Sequence, residues 1–161
     1  MSQGPFNTLV RVSATQIIRR YTEEEARNLA SDWLSVFGRD RLGLNTKAFM
    51  WHVFSAGRSP SVGGDAAEAE YRLQTGVEFV VLSNDRNAAF LTDVRPDTPE
   101  WSDCYVFPPN FAWTMAFTHE AGWLGPYFAR HRDFARLDAE NQAKLRKVQE
   151  RAEARAKGWC E

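Results

Sequence analysis

Apolar residues recur at the helical period through YTEEEARNLASDWLSVFG (21–38). Ala26, Leu29, Ala30, Trp33 and Phe37 share one face, and the remaining positions are mostly polar. Thr22 and Glu25 stand at capping-box spacing, three glutamates occupy the first turn where the helix dipole favours them, and Gly38 supplies a stop. The spacing predicts an amphipathic helix.

Shorter periods follow. KAFMWHVFS (47–55) is aromatic and β-branched, with Phe49, Trp51 and Val53 on one side and Met50, His52 and Phe54 on the other. It reads as a central strand, apolar on both faces. AGRSPSVGG is a loop by composition, and Asp65 is placed to cap a short helix, DAAEAEYRLQTG, that stops near Gly76. VEFVVLS and AAFLTD flank the turn-forming NDRN and predict a hairpin. VRPDTPEWSD is a loop, and CYVF is a short strand closed by Pro108 and Pro109. FAWTMAFTHE alternates as a last strand, with Trp113, Met115, Phe117 and His119 on one face and Ala112, Thr114, Ala116 and Thr118 on the other.

From about residue 135 the stretch ARLDAENQAKLRKVQERAEARAKG is helical by propensity. Leu137, Leu145, Val148 and Ala152 make only a thin apolar stripe, and six basic against three acidic residues between Glu140 and Lys157 leave a local excess of +3. Neighbouring strands joined by short turns pair antiparallel. The expected fold is therefore α+β: an antiparallel sheet of four or five strands, helices packed on one face, and a charged C-terminal helix. Residues 1–134 form a single domain in this reading, with 135–161 belonging to it or projecting from it.

The 161 residues, 43% hydrophobic and 13% aromatic, suit one folded domain with a real core. Six Trp and eleven Phe are many for this length and favour a partner-binding surface beside the core. A net charge of −1 argues against a dedicated nucleic-acid binder, the mixed signs of the C-terminal helix favour a solvated face, and its thin apolar stripe could pair with a copy of itself in a homodimer. Cys104 and Cys160 have neither disulfide-scaffold nor metal-ligand spacing. No signal peptide or membrane span is visible. The expectation is a soluble cytoplasmic protein with no cofactor, no metal and no membrane partner.

His119-Glu120 is the sharpest candidate for chemistry: a histidine at a strand end beside a carboxylate can serve as a general base. Against this, adjacent strand residues point to opposite faces, and Trp123 stands where a zinc-protease pattern needs a second histidine. The plainer reading is a partly buried histidine bonded to backbone. His52 could join His119 across the sheet as a metal ligand or acid–base partner, or be a satisfied core residue. His131 lies in a charged, solvated stretch. SVGGD before a helix lacks the features of a phosphate loop, and Cys104 after Asp103 is inert by its surroundings. GWLGPYF puts Trp123, Tyr127 and Phe128 on a connection fixed by two glycines and a proline, and EWSDCYVFPPN adds Trp101, Asp103 and Tyr105 on another. Loop aromatics on a rigid scaffold suit recognition, and acidic neighbours suit a basic partner.

MWHVFS, CYVFPPNFAWTMAFTHE and LGPYF together resemble the shared blocks of an uncharacterised, mainly bacterial family of small soluble proteins, a domain of unknown function. The resemblance runs from about residue 22 to about 130 and marks Trp51, His52, Trp113, His119, Glu120, Gly125, Pro126 and Tyr127. Proteins of this kind are similar in style to immunity proteins, which neutralise a toxin made beside them. The reading is a protein-binding module, an immunity-type inhibitor of a cognate toxin. Its docking residues are Trp101, Asp103, Glu120, Trp123 and Tyr127, with Asp97 and Glu100 adding charge. The alternative is a small hydrolase using His52, His119 and Glu120.

Overall fold

The computed structural model describes residues 16–97, 103–120 and 122–158. Glu100, Trp101 and Cys160 lie outside them. Among the described residues the elements run β1 (Ile17–Arg20), α1 (Glu23–Phe37), α2 (His52–Ser55), β2 (Val62–Gly63), α3 (Asp65–Arg72), β3 (Phe79–Ser83), β4 (Ala89–Thr92), β5 (Cys104–Phe107), β6 (Trp113–Phe117), β7 (Tyr127–Arg130) and α4 (Phe134–Ala156). The strands form one seven-stranded sheet, order β1-β4-β3-β5-β6-β7-β2, with every pairing antiparallel.

The α+β class and the antiparallel sheet agree with the sequence pattern, and the strand number exceeds it. Helices cover both faces, not one. Along β3, Val80 and Leu82 face one layer with α1, while Phe79 and Val81 face the other with α3. The same period of two repeats on β6, where Ala116 packs on the α1 side and Trp113 and Met115 on the α3 side. Strands buried on both faces read as continuous apolar runs, and FVVLS is buried at every position.

α1 forms as its punctuation dictates. The Thr22 hydroxyl accepts from the Glu25 amide at 3.1 Å, and the Glu25 carboxylate accepts from the Thr22 amide at 3.0 Å. Its buried face, Ala26, Ala30, Trp33, Leu34 and Phe37, lies on the sheet. The Trp33 indole donates to the Thr114 hydroxyl on β6 at 2.8 Å, so the largest side chain of the helix is also hydrogen-bonded to the sheet.

KAFMWHVFS is not a strand. It folds as turns ending in α2, because Met50, Trp51, Val53 and Phe54 are all buried against the same layer. Their spacing is that of one face of a helical turn, which a short apolar run does not distinguish from a two-faced strand. The Tyr105 hydroxyl accepts from the Trp51 amide at 3.0 Å and donates to the Asn84 side chain at 2.6 Å, pinning this segment to β5 and the β3–β4 turn. α3 begins with Asp65 as its first helical residue, after Gly64 as N-cap, and ends at Arg72. The Arg95 guanidinium donates to the carbonyls of Tyr71, Arg72 and Gln74 at its C-terminal end. α4 buries only Leu137 and Asn141.

Candidate functional site

The register of β5 against β6 pairs Cys104 with Phe117, so Asp103 and His119, just beyond the paired positions, come together at one end of these two central strands. β6 stops at Phe117, and the chain turns. His119 therefore leaves the face of Trp113 and Met115, where strict alternation places it, and packs on the other side beside Phe49 and Trp51, with ring centroids at 4.9 Å and 6.1 Å.

Asp103 organises this corner. Its carboxylate accepts from the Trp51 indole at 2.9 Å and from the His119 amide at 3.2 Å, and His119 Nδ1 lies 3.0 Å from each of its oxygens. The Glu120 carboxylate stands 3.6 Å from His119 Nε2, so the imidazole has an acid at each end. The Asp103 side chain is 13% exposed and that of His119 36%, so the ring is partly open to solvent. The hydrogen bond to Asp103 raises the His119 pKa, partial burial opposes the shift, and the charges of Asp103 and Glu120 add to it.

Because the folded pKa is raised, this contact contributes stability that is fully present below the unfolded value of about 6.5 and is lost as pH rises through the folded value. Asp103→Asn is expected to bring the His119 titration, followed by NMR, down toward an ordinary histidine and to remove this part of the pH dependence of unfolding. An unmoved titration would show that Asp103 does not set the charge of His119.

His52 edges the same two rings, 5.6 Å from Phe49 and 4.7 Å from Trp51, with Nδ1 3.1 Å from the Asn45 carbonyl. The two histidines thus share one side of the sheet, across an aromatic pair. Among the described residues no group of three or more His, Cys, Asp or Glu is arranged to hold a metal. His131 is partly buried at the end of β7, where Nδ1 accepts from the Asp133 amide at 2.9 Å and burial lowers its pKa. Cys104 is fully buried, and burial followed by the Asp103 charge pushes its thiol far up, away from reactivity.

The β6–β7 connection presents Trp123. The Glu120 carbonyl accepts from the amides of Trp123 and Leu124 at 2.9 and 2.7 Å, and the Thr118 hydroxyl donates to the Leu124 carbonyl. This tight path leaves the Trp123 side chain 87% exposed, while Leu124 packs against the core. Tyr127 turns the other way: it is 9% exposed, with its ring stacked on Trp51 at 6.2 Å and tilted on Phe54 at 5.9 Å. Phe128 is likewise core. Asp103 was legible as an acid near aromatics, but nothing local in the sequence signals its bond to His119, which depends on strand register.

Gly125 closes the turn at φ +91°, and a Cβ there would stand 2.7 Å from the Thr118 hydroxyl oxygen and 2.8 Å from its methyl. Gly125→Ala is expected to cost on the order of 1–3 kcal/mol in urea unfolding through backbone strain and this clash. A variant as stable as the parent would contradict the turn geometry.

Fold and site together define a small α+β domain with a both-faces-covered antiparallel sheet and, at the end of its central strands, a histidine held between two carboxylates, followed by a turn that exposes a tryptophan. The chain belongs to the family described as Domain of unknown function (DUF4275), whose model matches residues 10–128. That span includes the W-H-V-F, T-H-E and G-P-Y-F blocks, all of α1, the site, and the sheet as far as Phe128. No curated protein and no solved structure matches the chain. No helix among the described residues is long and apolar enough to cross a membrane.

Proposed function

We propose that the chain is a protein-binding module of bacterial, cytoplasmic immunity type, which neutralises a cognate toxin by docking the β6–β7 turn over a basic surface of it. The observation that carries the reading is Trp123, a large aromatic side chain left 87% exposed on a turn that its backbone hydrogen bonds hold in place. A rigidly presented tryptophan gives a partner a large contact at little cost in conformational entropy. Glu120, 42% exposed beside it, supplies the acidic rim that a basic partner meets. Asp103 acts from beneath by holding His119 and Trp51, and Tyr127 supports the turn from the core.

The test is affinity capture of the tagged chain from its source cells, followed by mass spectrometry and an activity assay of what co-elutes. The expected result is one stoichiometric protein whose toxic activity is suppressed when the chain is added back. A captured protein that remains fully active in the complex would count against inhibition.

A second reading is favoured by the Asp103–His119 contact itself. A carboxylate that fixes one nitrogen of a partly exposed imidazole, with a second acid near the other nitrogen, is an arrangement in which the ring can act as a general base. In a hydrolase of this kind, with His52 and Glu120 at its margins, turnover would be lost in His119→Gln and retained in Trp123→Ala. Docking has the opposite pattern.

A further inference from the structure

A cavity of about 320 Å³ lies between α4 and the opposite end of the sheet from the His119 turn, where β3 begins and β5 ends. Phe79, Pro108 and Pro109 give it apolar lining from the sheet side, while α4 contributes Lys144, Lys147, the half-exposed Val148 and Arg151. The three cations stand at helical spacings of three, four and seven, so a single face of the helix carries them all.

α4 is tied down just before this row. The Asn110 side chain donates to the Leu137 carbonyl at 3.0 Å and accepts from the Asn141 side chain at 3.1 Å. The helix then runs past the body with a gap beneath it. Earlier on α4, Arg136 is paired with both Asp133 and Glu140. Among the described residues, Lys144, Lys147 and Arg151 have no such carboxylate partner. Like charges at these spacings repel, by about 0.2–0.5 kcal/mol per pair, and an anion seated among them would relieve that repulsion. Glu78 is the one acid in the lining.

We infer that this cavity is a binding site for a small amphipathic anion, in which an apolar body enters over Phe79, Pro108 and Val148 and a carboxylate, sulfonate or phosphate group meets the three cations of α4. With apolar and cationic residues both in the lining, a ligand carrying both features is expected to bind tighter than one carrying charge or shape alone. A volume near the lower end of the range for ligand pockets admits a ring system or a short chain, not a large cofactor.

The probe is 2-naphthalenesulfonate, titrated calorimetrically into the full chain, with inorganic sulfate and 2-naphthalenemethanol as the charge-only and shape-only controls. The expected result is saturable one-to-one binding of the sulfonate, at least tenfold tighter than either control. The surface variant K144Q/K147Q/R151Q is expected to lose at least tenfold in affinity while keeping its circular dichroism spectrum, and Glu78→Gln is expected to bind tighter than the parent. The inference is overturned if the sulfonate fails to bind at millimolar concentration. It is equally overturned if inorganic sulfate binds as well, or if neither variant shifts the affinity.

Discussion

Trp33→Ala should lower the free energy of unfolding by about 3–5 kcal/mol. Trp33 is fully buried and sits where three parts of the chain meet: its ring lies 5.4 Å from Phe37 on α1, 5.6 Å from Phe54 on α2 and 4.8 Å from Tyr105 on β5. Truncation removes that volume from a packed layer and also removes the donor to Thr114. Trp33→Phe separates the two effects. It keeps an aromatic ring in the layer and gives up the N–H, so its cost should be smaller, on the order of 1–3 kcal/mol. Urea titrations followed by circular dichroism measure both. An alanine variant within 1 kcal/mol of the parent would mean that α1 does not dock on the sheet through this residue.

The second large effect is on binding. Trp123→Ala should weaken the complex with the captured partner by about 2 kcal/mol, close to 30-fold in Kd, while changing stability by less than about 0.5 kcal/mol. The contrast with Trp33 is the point: both are tryptophans, but one is enclosed by the core and the other touches little of its own chain. Tyr127→Ala offers a useful comparison. Because its ring packs on Trp51 and Phe54, its loss falls first on stability and only through the turn on affinity. If Trp123→Ala binds as tightly as the parent, the turn is not the anchor.

Much of this architecture can be read from the chain, in proportion to how local its causes are. α1 is written out in full by its cap, its acidic first turn and its apolar stripe. The β3–β4 hairpin follows from two apolar runs around NDRN. β1 and β2 are missed because edge strands of two to four residues, largely exposed, carry no alternation to find. β7 hides inside an aromatic stretch that composition alone assigns to a connection. KAFMWHVFS misleads because β propensity in aromatic residues reflects packing on a half-buried surface, and here a helical turn satisfies the same packing. Helices on both faces follow from strands apolar on both sides, a feature already present in FVVLS.

The site divides in the same way. Trp123 is recognisable from glycine-bounded aromatic sequence, since the tight turn leaves that side chain nowhere to pack. The Asp103–His119 contact is not, since sixteen residues separate the partners and only the pairing of β5 with β6 aligns them. Glu120 reaches His119 for a related reason: β6 ends two residues earlier, so the rule that neighbouring strand residues face apart no longer governs them.

Hydrogen exchange of the chain, alone and in complex with the captured partner, tests the docking face most directly. The amides of Gly122, Trp123 and Leu124 should slow on binding, together with Glu120, while those of α4 beyond Asn141 exchange as in the free chain. Unchanged exchange at 120–124 with new protection elsewhere, on α4 or on the outer edge at β1, would contradict it and move the interface away from Trp123.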